Sequence, residues 1–110
     1  MQCGAACLAM VCHYYNSSVS ISDIEKFCHI TSEGVSLKGI KDAAEELGLN
    51  AVPLKIRIDS LVNITTPTIL HWDQNHYVVL YKVDRNGNRF WIADPGKGKY
   101  KLSLNPTFTP

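Results

Sequence analysis

The chain has 110 residues, a formal net charge of +1, and 45% hydrophobic against 19% charged residues. That length holds one domain with a genuine core and no second one. The balanced charge excludes the overall field of a nucleic-acid or membrane-surface binder. The longest apolar run, residues 77–81, is far short of the ~20 needed to span a bilayer. The first residues carry no basic stretch leading into a long apolar segment, so no signal peptide is read there.

The opening stretch, residues 1–15, predicts a helix that begins at Cys3. Ala, Leu and Met are strong helix formers and no proline interrupts them. Leu8, Val11, Cys12 and Tyr15 recur at the spacing of one buried face. At a helix N-terminus the unpaired amides and the macrodipole favour negative charge, so a thiolate at Cys3 is stabilised. Gly4 leaves the approach to that sulfur open. The plain alternative is a small hydrophobe near a frayed end.

The chain has four cysteines, of which Cys3, Cys7 and Cys12 fall on this one helix. Four or five residues apart on a helix, they do not meet disulfide geometry, so they read as reduced thiols in a reducing compartment. Their spacing matches no zinc pattern, and no metal is expected.

After a turn at Asn16-Ser17-Ser18, Ser22 with Glu25 reads as a capping box that starts a short helix ending near His29. Residues 31–35 form a loop around Gly34. Ser36 caps a third helix over 37–47, with Leu37, Ile40, Ala44 and Leu47 as its apolar stripe and Gly48 as its left-handed stop. Residues 50–56 are a strand candidate; Pro53 inside it argues for an edge position. Residues 59–64 are expected to make one helical turn. Strands follow at 68–72, 76–84, 89–94 and 99–104, with a hairpin signal at Asn86-Gly87 and a turn at Pro95-Gly96. Helices first and an antiparallel sheet second give an α+β fold in one domain.

A cysteine nucleophile needs a histidine within reach and a third group to hold that imidazole. His13 sits ten residues along Cys3's own helix and points elsewhere. His29 reads as a helix C-terminal cap, and His71 as a satisfied strand-end histidine. His76 opens the strongest strand, and Asp94 ends its expected partner. By itself Asp94 is as readily a turn aspartate before proline.

Strand parity tests whether these two meet, because paired residues share a face. A two-residue turn at Asn86-Gly87 would pair Val79 with Asp94 and put His76 on the opposite face. A three-residue loop, with Gly87 left-handed in a bulge, pairs Val78 with Asp94 and unites His76 and Asp94 on one face. The three-residue loop is the expectation.

Gln2-Cys3-Gly4-Ala5-Ala6-Cys7-Leu8-Ala9-Met10, Glu33-Gly34-Val35-Ser36-Leu37, Ile69-Leu70-His71-Trp72 running into Asn75-His76-Tyr77-Val78-Val79-Leu80, and Ala93-Asp94-Pro95 occur in this order. Together they resemble the papain-like, bacteriocin-processing cysteine peptidase domain at the N-terminus of ABC exporters. The resemblance covers essentially the whole chain. It implies a papain-like cysteine endopeptidase with helices packed on an antiparallel sheet. It implies cleavage of a secreted peptide's leader after a Gly-Gly pair, on the cytosolic face of the membrane.

By position, Cys3 matches the nucleophile, His76 the general base and acid, and Asp94 the group orienting His76. The Cys3 backbone N–H matches one oxyanion donor. The second donor is a glutamine six residues before the cysteine, a position outside this chain; Gln2 is not its equivalent. The expected partners are a leader peptide and the exporter's membrane and ATP-binding domains, with no nucleic acid and no cofactor; no Gly-rich phosphate loop is present. Residues 1–110 are expected to be one peptidase domain clipped at both ends. Glycines at the cut suit a narrow channel, for which Trp72, Tyr77 or Trp91 are candidate walls. The alternatives are a catalytically impaired leader-binding domain, and a stand-alone papain-like enzyme acting on another acyl substrate.

Overall fold

The computed structural model describes residues 3–28, 36–72 and 76–103. Three helices lead: α1 (Cys3–Tyr14), α2 (Ile21–Phe27) and α3 (Leu37–Glu46). A 3₁₀ helix, Ile58–Asn63, then precedes four strands: β1 (Thr68–Trp72), β2 (His76–Asp84), β3 (Arg89–Asp94) and β4 (Gly98–Ser103). The strands form one antiparallel sheet in the order β1-β2-β3-β4.

Both faces of this sheet are covered, which is why β2 reads as a continuous apolar run. On one face, Tyr77, Val79 and Ala93 join Ala5, Cys7, Leu8 and Cys12 of α1, Ile24 of α2, and Ile40, Ala43 and Ala44 of α3 in a single core cluster. On the other, Val78, Leu80, Phe90 and Ile92 pack with Leu61 of the 3₁₀ helix. Alternate residues of β2 thus serve two cores.

The helix ends are set by short-range chemistry. Ser36 Oγ accepts from Gly39 N at 3.0 Å, and on the solvent side Lys38 and Lys41 reach Asp42 and Glu45 one turn on. The helix α3 closes with Gly48 at φ +86°, Gly48 N donating to Glu45 O and Leu49 N to Ala44 O. That is the paired closure for which a left-handed residue is needed. Asn16, at φ +62°, ends α1 in the same way, with Ser17 N donating to Cys12 O.

Four expectations need correction. The α2 cap is Ser20, not Ser22: its Oγ accepts from Asp23 N at 3.1 Å, since Ser20 too stands three residues before an acid. Tyr15 is 54% exposed because the chain turns at Asn16 before the buried stripe reaches it. Leu37, at the very start of α3, is likewise half out of the core, at 39% exposed. Residues 50–56 form no strand; the segment carries Pro53, which lacks the ladder donor, and leaves Val52 and Leu54 exposed. The Ser22–Glu25 box aside, α2 ends at Phe27, and His29 and residues 31–35 lie outside the described residues.

Candidate active site

The β2–β3 hairpin sets the geometry of the site. Its tip is neither a two- nor a three-residue loop. Asp84 pairs with Arg89, leaving the four residues 85–88 in the turn. The left-handed residue is Asn88, at φ +54°, not Gly87. Gly87 is required for a different reason: a Cβ there would come 2.7 Å from Asp84 Oδ2 and 2.8 Å from Arg89 Nε, where those two side chains pair.

An even loop alone would place His76 and Asp94 on opposite faces. A bulge prevents this. Leu80 pairs with Ile92 and Lys82 with Trp91, so Tyr81 is the extra residue. Beyond it Val79 pairs with Ala93, which sets Asp94 at the level of Val78. His76 and Asp94 therefore share a face, as parity required, but through a bulge at Tyr81 and not through the loop.

The two side chains meet: His76 Nε2 lies 2.7 Å from Asp94 Oδ2. The Asp94 carboxylate is 1% exposed and the His76 imidazole 34% exposed, so the pair has a buried root and an open end. The other oxygen, Oδ1, accepts from Gly96 N at 2.8 Å and Lys97 N at 3.2 Å. Asp94 is thus a turn aspartate and a histidine partner at once, one oxygen for each duty. Burial pushes its carboxyl upward, but the His76 hydrogen bond and the Gly96 and Lys97 amides outweigh burial and hold it below the usual range. A carboxylate can only accept, so Nε2 carries the proton. In the neutral ring Nδ1 is then the basic nitrogen, available for chemistry on its own side.

Cys3 is the first residue of α1. Its N–H is among the first helical amides, which have no partner within the helix. Its side chain lies outside the described residues. The first turns of α1 and the start of β2 face each other: Ala5 and Cys7 share a core cluster with Tyr77, the residue after His76. The remaining thiols differ in kind. Cys7, Cys12 and Cys28 are buried and not in disulfides. Burial raises the pKa of Cys12, and burial with the neighbouring Glu25 charge raises that of Cys28.

The other histidines stand apart from the pair. His13 is exposed in the last turn of α1. His71 is exposed on β1, stacked on Tyr77 with centroids 4.6 Å apart. Tyr77 is buried against the helices, and Trp91 lies beneath Lys82 and Arg89, three residues from Asp94. Neither walls a channel beside His76; the Trp72 side chain lies outside the described residues. Among the described residues no cluster of three His, Cys, Asp or Glu side chains is placed to hold a metal, and no helix is long and apolar enough to cross a membrane.

One feature went unread in the sequence. A groove of about 620 Å³ runs between α1 and the sheet, lined by Ala6, Ala9 and Met10 on one side and Val79, Tyr81 and Ala93 on the other. Pro95 and Lys99 also line it, so both neighbours of Asp94 touch it. Its apolar lining comes from small residues on an exposed helix flank, a pattern that periodicity assigns to plain surface.

Residues 1–107 match the Peptidase C39 family. The chain belongs to that family. This C39 domain is 38% identical over 97 residues to the Colicin V secretion/processing ATP-binding protein CvaB of Escherichia coli, across 88% of this chain and 14% of that protein. It is 35% identical over 109 residues to the lactococcin-G-processing and transport ATP-binding protein LagD of Lactococcus lactis, across 94% of this chain and 15% of that one. The chain therefore spans about one-seventh of the curated relatives it matches. Its structure is similar to that of a double glycine motif protease from an AMS/PCAT transporter, solved in complex with the leader peptide. The TM-score is 0.85 at 35% identity, over 93% of this chain and 72% of that one. It is also similar to the peptidase domain of Streptococcus ComA, a bi-functional ABC transporter in a quorum sensing pathway. There the TM-score is 0.82 at 29% identity, over 93% and 79%. The helices followed by an antiparallel sheet are the papain-like arrangement of C39 domains.

Proposed function

We propose that this C39 domain is a cysteine endopeptidase that cuts a precursor peptide after a Gly-Gly pair, with Cys3 as nucleophile, His76 as base and acid, and Asp94 as orienting group. The observation that carries this is the His76–Asp94 hydrogen bond, at the start of a strand packed against the helix that opens with Cys3.

The Cys3 thiolate, formed by proton transfer to His76 Nδ1, attacks the carbonyl carbon of the second glycine. The Cys3 N–H donates to the oxygen that takes up the negative charge. As the C–N bond breaks, Nδ1–H protonates the departing amine, leaving the leader as a thioester on Sγ. Nδ1 then takes a proton from water, whose oxygen attacks the thioester. The leader leaves with a free glycine carboxylate, and the thiol is restored. Throughout, Asp94 holds the ring through Nε2–H and balances the imidazolium charge.

The leader lies in the groove beside α1, its apolar side chains on Met10, Val79 and Ala93. Support comes from the relative solved with its leader peptide and from the contact of Ala93 and Pro95 with that groove. In the whole protein the domain works beside the membrane and ATP-binding parts of an ABC exporter, on the cytosolic face. The test is Cys3→Ala, assayed on a synthetic leader ending in Gly-Gly with a short extension. Cleavage is expected to vanish while melting temperature and leader binding persist. Cleavage at the parent rate refutes the assignment.

A further inference from the structure

The charge of +1 conceals a segregation. Among the described residues, α2 and α3 hold five acidic residues, three of them paired to lysines of the same helices. The sheet, residues 76–103, is strongly basic, and its two aspartates are committed to Arg89 and His76. Lys82, Lys99 and Lys101 enter none of the ion pairs among the described residues.

These three lysines share one face. Lys82 pairs with Trp91 and Trp91 with Lys101, a row across three strands; Lys99 pairs with Ala93, two residues along on the same side. This is the helix side of the sheet, where Ala93 packs. The bulge adds Tyr81 to it, since Tyr81 packs against the helix-side core although it directly precedes Lys82. The Lys99 ammonium lies 5.6 Å from the Tyr81 centroid, and that of Lys82 4.7 Å from the Trp91 centroid. An aromatic ring positions an ammonium without neutralising it, so the charge and its N–H donors stay available. Tyr81 and Lys99 also line the groove.

Taking the leader to occupy this groove, as proposed above, we infer that the Lys99–Tyr81 and Lys82–Trp91 rim is an acid-selecting subsite. It receives a carboxylate from the polar side of a leader whose apolar side fills the groove. Register places that carboxylate. Tyr81 is five residues from His76 along β2, about 17 Å at ~3.4 Å per residue. An extended peptide covers that span in about five residues and a helical one, at 1.5 Å each, in about eleven. The selected Asp or Glu therefore lies about five to eleven residues before the scissile bond.

The test uses labelled amphipathic peptides ending Gly-Gly-Ala, with one glutamate moved through those positions and glutamine counterparts of each. Binding is read by anisotropy on Cys3→Ala, and KM and kcat on the parent, for Lys99 and Lys82 and for Lys99→Gln and Lys82→Gln. For at least one glutamate position, the lysine substitution is expected to weaken binding about 3–5-fold more than it does for the glutamine counterpart. The effect falls on KM and shrinks with added salt. Equal losses for both peptides, or none, overturn the subsite while cleavage leaves the peptidase reading standing. Failure of every peptide to bind or be cut refutes the peptidase reading itself, and the subsite with it. Sedimentation with phosphatidylglycerol vesicles that is lost in Lys82→Gln, without a peptide effect, overturns the subsite and reassigns the basic face to the membrane surface.

Discussion

His76 Nε2 donates to Asp94 Oδ2 at 2.7 Å, while Asp94 Oδ1 is held by the amides of Gly96 and Lys97. The two oxygens can be separated by mutation. In Asp94→Asn the amide oxygen can still take the Gly96 and Lys97 bonds, but the amide NH₂ then faces Nε2. A donor there favours the tautomer with the proton on Nδ1, the wrong nitrogen for a base. We expect kcat to fall by about 10²–10⁴-fold with the circular dichroism spectrum unchanged. A loss below tenfold would deny Asp94 an orienting role.

The same carboxyl predicts a pH dependence. Its folded pKa is depressed, so its contribution to stability is full above the unfolded value of about 3.9 and is lost as pH falls through the folded value. Asp84, held down by the Arg89 hydrogen bond and the Gly87 amide, titrates in the same acid window. Urea unfolding from pH 5 to pH 2 should therefore destabilise the parent steeply. Asp94→Asn should start less stable and fall less steeply, keeping only the Asp84 component. Parallel curves would contradict the assignment.

The thiols should separate by labelling rate. Cys12 and Cys28 are buried, with pKa values raised by that burial, so they hold their protons at neutral pH. A thiol at a helix N-terminus is shifted the other way. Iodoacetamide at pH 6.5, followed by peptide mass spectrometry, should modify Cys3 first. Cys12 and Cys28 should react only after unfolding. Equal rates in the native protein would favour a leader-binding domain without catalysis.

The α3 cap gives a control on stability alone. Ser36→Ala removes the acceptor of Gly39 N, at a cost of about 1 kcal/mol. Melting temperature should fall by about 4–8 °C with kcat unchanged. A larger loss would mean that Ser36 holds more than its own helix.

Much of this was legible in the sequence. The four strands, the 3₁₀ turn, the Ser36 cap and the Gly48 stop came from alternation, capping residues and a glycine where a left-handed residue is needed. Residues 50–56 alternate like a strand yet pair with none among the described residues, because pattern records an apolar face and not a neighbour to hydrogen-bond. The pairing of His76 with Asp94 was reachable from parity, but the route was not. Asn86-Gly87 advertises a short turn, whereas the sheet closes with four residues and spends the odd one on Tyr81. A bulge leaves no composition signal when the surplus residue is an aromatic that suits either position. The Pro95-Gly96 turn marked where the chain reverses, without revealing that Asp94 would serve the turn and the imidazole together.

The surplus residue at Tyr81 also partitions the hairpin. On one side stand Val79, Ala93 and the His76–Asp94 contact; on the other, Lys82, Trp91 and the tip with its Asp84–Arg89 pair. A residue gained or lost beyond Tyr81 can be taken up by the turn, so the outer arm is free to change length. A residue gained or lost between His76 and Tyr81 has no such outlet and rotates the imidazole to the wrong side of the ribbon. Tolerance of insertions should therefore end abruptly within one strand, at a boundary marked by no change in secondary structure.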